Sequence, residues 1–135
     1  MRTTRLVTLA LAALVLLPAL PAAGADAPVT VTLQVAGGHP AAPGWRDCDV
    51  SVPASANVGA VLDAAVASGC ILEWSYESSS GWGRYITSID HVAALLPTYW
   101  AFYIDGEYAS TGIDSTTVSE GATYRFVYEQ WLLPL

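Results

Sequence analysis

The hydrophobic residues of this chain follow a period of two almost everywhere and a helical period in one stretch, which restricts the fold to strands with one helix. Val29 to Val35 alternates apolar and polar residues, and so does Trp45 to Val52. Such alternation is typical of half-buried strands. Apolar residues over 58–66 recur at helical spacing, with Asn57 in the position of a helix cap and Gly69 in that of a left-handed stop. We therefore predict two strands followed by one amphipathic helix.

Further extended segments are predicted after the helix, at residues 71–77, 85–89, 99–104, 107–110 and 124–131. Between two of them stands Asp-Gly, the strongest short signal for a hairpin turn in the chain. Strand, strand, helix and then strands is the order of a β-grasp. We predict an α+β fold, a β-grasp-like mixed sheet with one amphipathic helix packed across it, and keep a β-sandwich as the alternative.

The amino terminus has the features of a secretory signal. Arg2 and Arg5 precede an apolar run from Leu6 to Leu20, and Ala23-Gly24-Ala25 follows as a small-x-small cleavage pattern. The run is shorter than the roughly 20 apolar residues needed to cross a bilayer. We predict a signal peptide at residues 1–25 and a mature extracellular domain at residues 26–135, with a retained membrane helix as the alternative.

Cys48 and Cys70 are the only two cysteines. In a secreted protein an even pair favours a disulfide, which would remove roughly 3 kcal/mol of unfolded-state freedom. Alternation puts Cys48 on the inner face of its strand and Asp47 and Asp49 on the outer, solvated face. Free thiols or half of a metal site are the alternative, but Cys-x-x-Cys spacing is missing, and we predict no metal site.

Charge excludes some classes of partner. The mature chain has three arginines and twelve carboxylates, a net charge of -9. Nucleic acid and anionic membrane surfaces are therefore poor partners for it.

No set of residues predicts catalysis. The only histidines are His39 and His91, and neither has a second ligand at strand or helix spacing. Ser88 lacks the glycine neighbours of a nucleophile elbow. Asp90 is next to His91, but adjacent side chains of an extended chain point to opposite faces. We expect a protein that is not an enzyme and requires no cofactor.

Aromatic residues are more numerous after position 73 than a core of this size needs, and alternation puts them on both sides of the sheet. Exposed aromatic clusters are typical of contact surfaces for flat apolar ligands, sugars or proteins. Trp82, between Gly81 and Gly83, is expected to be exposed in a loop. For Trp100 and Phe102, burial in the core remains an equal alternative.

Several segments in this order resemble a known family. The matching parts are residues 81–89, 97–102, a hairpin, Gly112-Ile113 and the strand that follows Glu120-Gly121. Together they are similar to the carboxyl-terminal β domain of the cobalamin carriers intrinsic factor and transcobalamin, and to secreted bacterial domains classed as transcobalamin-like. The combination of Trp-Gly, Ser-Ile and Tyr-Trp carries the resemblance.

The resemblance implies a ligand-binding module for cobalamin or another corrinoid. In the carriers, the Trp-Gly loop and the strand that begins with Tyr-Trp lie against the corrin. The positions that this assigns as ligand-binding are Gly81, Trp82, Gly83, Arg84, Tyr85, Ile86, Trp100, Ala101, Phe102, Tyr103 and Tyr108. Glycine allows close approach of a backbone to a ligand, and the rings supply apolar area.

Two features differ from the carriers. The carriers clamp the ligand between a β domain of this kind and a large helical domain, and the sequence matches only the β domain. Arg84 and Tyr85 replace apolar positions. A second interpretation is therefore an extracellular domain that binds a cell-surface protein or glycan through the same face. A third, a hydrolase or protease inhibitor, lacks a visible reactive set.

Overall fold

The computed structural model describes residues 27–36, 45–79, 81 and 83–130. The predicted signal peptide, the segment 37–44, Trp82 and the last five residues lie outside this part. The elements in chain order are β1 (Pro28–Ala36), β2 (Trp45–Pro53), α1 (Val58–Ala67), β3 (Trp74–Ser79), β4 (Gly83–Ile89), β5 (Val92–Ala93), β6 (Thr98–Ile104), β7 (Glu107–Tyr108), a 3₁₀ helix (Ile113–Ser115) and β8 (Thr123–Gln130). No helix in these ranges is long and apolar enough to cross a membrane.

Five strands form the main sheet, in the order β2-β1-β8-β6-β7. β1 pairs parallel with β8 and antiparallel with β2, while β6 pairs antiparallel with both β8 and β7. The last strand thus enters the centre of a mixed sheet beside the first. This order, with one helix against the sheet, confirms the predicted β-grasp-like α+β fold.

Local sequence signals determine both ends of α1. The Asn57 side chain accepts a hydrogen bond from the Ala60 backbone N–H at 3.1 Å, which satisfies one of the free donors at a helix start. Gly69 has φ +83°, in the left-handed region that ends many helices. Between them, Val61 and Leu62 are completely buried. The helix packs against β2 with this apolar face, as the period predicted.

The core lies between α1 and the inner face of the main sheet. Leu33 of β1 is beside Tyr124 of β8, and Val35 is beside Phe126. All four are almost fully buried. On the other face of β2, Asp47 and Asp49 are exposed, and they accept hydrogen bonds from polar side chains of β1. The interpretation of these aspartates as a solvated strand face is confirmed.

The second sheet has three antiparallel strands in the order β3-β4-β5. Two side chains attach it to the main sheet. The indole N–H of Trp100 donates to the Val92 carbonyl at 2.9 Å, and the Tyr128 hydroxyl donates to the Ala93 carbonyl at 2.7 Å. These bonds hold β5 over the inner face of β6 and β8.

Strict alternation in β4 was a wrong expectation. Ile86 and Ile89 are both buried, although three positions apart they should face opposite sides. The cause is a bulge, because the pairing with β3 skips one residue of β4 between Ile86 and Ser88. The bulge turns two isoleucines toward the same core.

Residues 71–73 and 90–91 are also not extended, contrary to the sequence-based expectation. The N–H of Leu72 donates to Asp90 Oδ1 at 2.7 Å, so the chain bends around this carboxylate before β3 begins. Asp90 and His91 both have positive φ, 52° and 64°, and form the turn between β4 and β5. Asp90 Oδ2 lies 2.6 Å from Arg46 Nε. This ion pair links the turn to β2.

The predicted disulfide is confirmed. Cys48 of β2 is bonded to Cys70, with 6.3 Å between the two Cα atoms. Cys70 follows directly after the glycine that ends α1, so the bond attaches the end of the helix to the sheet.

We expect replacement of both Cys48 and Cys70 by alanine to lower the free energy of unfolding by about 3 kcal/mol. The bond closes a loop with a sequence separation of 22 residues, whose freedom in the unfolded chain would be restored. Urea denaturation of the two proteins measures the difference. In the unreduced, denatured wild type, thiol labelling should give no signal, and two labelled cysteines would contradict the pairing.

Candidate ligand-binding site

An open cavity lies where β4 of the second sheet approaches β6 and β7 of the main sheet. It has a volume of about 170 Å³, and a neighbouring cavity of about 280 Å³ shares part of its wall. The first is lined by Arg84, Tyr85, Ile86, Tyr99, Trp100, Phe102, Tyr108, Ala109, Thr111, Gly112 and Ile113. The lining is thus mainly apolar and aromatic, as in many sites for small molecules.

Short strands leave room for this cavity. β5 pairs with β4 only at Ser88 and Ile89, and β7 pairs with β6 only at Tyr103 and Ile104. The preceding half of β4 therefore has no paired strand on the side of β5, and the preceding half of β6 has none on the side of β7, among the described residues. The cavity lies against these unpaired edges.

Two core side chains form the floor. Trp100 is 6% exposed, and its ring centroid lies 5.2 Å from that of Tyr128. Phe102 is stacked on Phe126 at 5.0 Å, with 9° between the ring planes. Both rings are fixed by packing, and both reach the cavity. The sequence left open whether Trp100 and Phe102 pack in the core or are exposed on a contact surface. In the structure, packing in the core is their main role.

Two exposed tyrosines form the rim. Tyr85 is 46% exposed and Tyr108 is 57% exposed. Burial raises the pKa of Tyr85, and burial together with a hydrogen bond to Tyr108 raises the pKa of Tyr99. These hydroxyls stay protonated near neutral pH. Tyr85 and Tyr99 therefore offer neutral hydroxyls that can both donate and accept hydrogen bonds.

Arg84 forms one wall through an ion pair with Asp114 of the 3₁₀ helix. Its Nη2 and Nε lie 2.7 and 2.9 Å from Asp114 Oδ1, and its backbone N–H donates to Oδ2 at 2.7 Å. The guanidinium also lies over the rings of Trp74 and Tyr76, 5.2 and 5.1 Å from their centroids. Hydrogen bonding in the pair raises the pKa of Arg84 and lowers that of Asp114. The pair stays ionised at neutral pH.

Glycines make this ion pair sterically feasible. A Cβ on Gly59, in the first turn of α1, would lie 2.0 Å from Arg84 Nη2. A Cβ on Gly83, which has φ +78°, would lie 2.8 Å from Asp114 Oδ2. Arg84 is not part of the loop expected around Trp82, because the residue belongs to β4 and its side chain contacts the 3₁₀ helix and two aromatic rings.

Six of the eleven residues proposed from the sequence line the cavity: Arg84, Tyr85, Ile86, Trp100, Phe102 and Tyr108. Gly81 and Gly83 have positive φ, and Trp82 between them lies outside the described residues.

The remaining two, Ala101 and Tyr103, do not line it. They lie on the other face of β6, because successive side chains of a strand alternate, and the Tyr103 hydroxyl donates to Glu129. Tyr99 is on that face too and reaches the cavity at the strand edge, where it is hydrogen-bonded to Tyr108.

Sequence reasoning missed the wall formed by residues 109–113, which connects β7 to the 3₁₀ helix. Small side chains in an irregular segment carry no periodicity. The only available signal was Gly112-Ile113, which contributed to the resemblance without being assigned to the site.

Clustered metal-binding side chains are absent from the described ranges. These ranges contain no group of three or more His, Cys, Asp or Glu side chains that could hold a metal ion. His91 is 71% exposed, with Nδ1 3.4 Å from Glu73 Oε1, and it belongs to the turn described above.

The fold and the cavity define a β-grasp domain with an open aromatic site. Residues 61–130, about half of the chain, match the family model described as "Domain of unknown function (DUF4430)". The chain belongs to this family. The sequence matches no curated protein.

Two solved structures share the fold. A crystal structure of haptocorrin in complex with Cbi is similar over 79% of this chain, with a TM-score of 0.69 and 24% identity. The match covers 26% of the haptocorrin chain, so this chain spans about a quarter of it. A "putative metal binding protein" from Ruminococcus gnavus ATCC 29149 matches 77% of this chain and 99% of its own, with a TM-score of 0.56 and 21% identity. Since haptocorrin belongs to the transcobalamin family, the resemblance to a transcobalamin-like carboxyl-terminal domain is confirmed for the fold.

We expect Gly59→Ala to destabilise the protein, although alanine is the better helix former. The added Cβ would displace the guanidinium of Arg84 from Asp114, and overpacking of this kind costs about 1–3 kcal/mol. In an Arg84→Ala background the same change should stabilise by about 0.5 kcal/mol, because only the helix propensity remains. Urea denaturation of the four proteins gives the coupling energy.

Arg84→Lys is the matched control, because it keeps the charge and loses the planar fork and the stacking. It should recover only part of the stability that Arg84→Ala loses. An effect of Gly59→Ala that is the same with and without Arg84 would show that the two residues do not meet in solution.

Proposed function

We propose that this chain is a secreted, non-enzymatic module that binds one face of cobalamin or another corrinoid in the aromatic cavity. Residues 1–25 are its signal peptide and residues 26–135 its binding domain. The observation that carries the proposal is the cavity itself, with a fixed floor of Trp100 and Phe102 and a rim of Tyr85 and Tyr108, in a fold shared with haptocorrin, which was solved with Cbi.

The side chains of the site suit a flat ligand with polar arms. The floor is already packed, so its rings lose little conformational freedom on binding. The exposed faces of Tyr85 and Tyr108 would be removed from water, which is favourable for apolar area. Their hydroxyls would meet the amide arms of a corrinoid.

The size of the site predicts a partial contact. A corrinoid is larger than a cavity of about 170 Å³, so only part of the ligand would enter it. The domain corresponds to 26% of the haptocorrin chain, and a ligand that touches one surface forms fewer contacts than an enclosed one. We therefore expect modest affinity, in the micromolar range or weaker, for the isolated domain.

Titration with cobinamide and cobalamin, followed by tryptophan fluorescence and by heat, tests the proposal. We expect saturable binding, and we expect Tyr108→Ala to weaken it about tenfold, since an aromatic contact contributes about 0.5–1.5 kcal/mol beyond its buried area. Leu96→Ala is the control, because Leu96 is 85% exposed and does not line the cavity. Absence of binding at millimolar ligand would refute the proposal.

A second candidate function is binding of a cell-surface protein or glycan through the same face. The exposure of Tyr85 and Tyr108 beside an open cavity favours it, because exposed aromatic rings are common in protein and sugar contacts. Pull-down from culture surface material with wild type, Tyr85→Ala and Leu96→Ala measures this. Retention that depends on Tyr85 and is not displaced by cobinamide would favour the second function.

A further inference from the structure

Charge is distributed unevenly around the aromatic cavity. Arg84 is the only cationic residue of its lining, and the guanidinium already makes two short contacts to Asp114. Side-chain exposures of 23% and 26% show that the pair is mostly covered. A guanidinium in this state has little capacity left to neutralise an incoming anion.

The other charges beside the rim are negative. Glu77 lies opposite Tyr85 in the β3–β4 pairing and contributes to its raised pKa. Glu129 lies opposite Tyr99 in the β6–β8 pairing and acts on that hydroxyl in the same direction. Two carboxylates thus border a cavity whose lining, apart from the paired Arg84, offers neutral polar groups.

One further cation is close to this region in the sheet. Arg125 of β8 is opposite Tyr103 of β6, but it is on the face of the sheet away from the core, between the buried residues Tyr124 and Phe126. Its Nε donates to Gln34 Oε1 at 3.1 Å. This bond holds Arg125 toward β1, on the side of β8 away from β6 and from the cavity.

We infer that the cavity selects its ligand by charge, and that it accepts corrinoids with carboxamide arms and rejects those with carboxylate arms. This inference rests on the proposed function and assigns its ligand class. A carboxamide can exchange hydrogen bonds with tyrosine hydroxyls without adding charge. A carboxylate would lose water beside two like charges, and the only cation of the described lining, Arg84, is already paired with Asp114.

The test compares cobinamide, whose arms are carboxamides, with cobyrinic acid, whose arms are carboxylates, with the same axial ligands on cobalt. Titrations are followed by heat and by tryptophan fluorescence at low and high salt. We expect cobyrinic acid to bind at least about tenfold more weakly at low salt, as repulsion between close charges predicts. The ratio should shrink at high salt because exposed charges are screened.

Two charge-only variants locate the source of the discrimination. Glu77→Gln and Glu129→Gln each remove one negative charge next to the rim and keep the shape of the side chain. Each should improve binding of cobyrinic acid several-fold and leave binding of cobinamide nearly unchanged. Asp49→Asn, compared with the glutamate variants at physiological salt, is the matched control, because β2 and β7 are opposite edges of the main sheet, and four strand spacings of about 4.8 Å exceed the screening length of about 8 Å at that ionic strength.

The outcomes separate this inference from the proposed function. Equal binding of the two corrinoids, or tighter binding of cobyrinic acid, would overturn the charge selection and leave corrinoid binding intact. Discrimination that is unchanged in both glutamate variants, or reduced equally by Asp49→Asn, would overturn the role of the rim carboxylates. If neither corrinoid binds, the proposed function is refuted and the inference with it.

Discussion

The ion pair between Arg84 and Asp114 is the interaction on which the shape of the site depends. It joins β4 to the 3₁₀ helix across a separation of 30 residues, and its guanidinium fits against α1 only because residue 59 is glycine. Two walls of the cavity, the start of β4 and residues 109–113, are thereby held at a fixed separation. Without this pair, the start of β4 would be held mainly by its pairing with β3.

The same interaction explains why the site is neutral in spite of an arginine in its wall. A bidentate guanidinium–carboxylate pair uses the donors that would otherwise recognise an anion. The rings of Trp74 and Tyr76 cover part of the group as well. The arginine is therefore an element of structure, and under the proposed function ligand contacts are left to aromatic rings and tyrosine hydroxyls.

The relation to known structures concerns the framework more than the chemistry. Two proteins with 24% and 21% identity share the arrangement of strands and helix, and one of them is a much longer chain. A β-grasp fold can present many different surfaces. Under the proposed function, the side chains at the open junction of β4, β6 and β7 select the ligand, and in this chain they combine a fixed apolar floor with an acidic border.

The sequence by itself determined the elements whose causes are local. Alternation over residues 29–35, the Asn57 cap, the Gly69 stop and the Asp105-Gly106 hairpin each act within a few residues, and the structure has all of them. The disulfide followed from the inward face of Cys48 and the position of Cys70. The aromatic character of the site was equally visible, because it depends on composition along two strands.

Tertiary structure alone decided the partners of Arg84, the bulge that turns Ile86 and Ile89 to one side, and the wall formed by residues 109–113. Each of these depends on residues that are far apart in the chain, such as Gly59 with Arg84 or Ser75 with Ser88. Local patterns contain no information about such distances. The division between floor and rim has the same origin, because it is the packing of β5 over β6 that buries Trp100 and leaves Tyr85 and Tyr108 in contact with water.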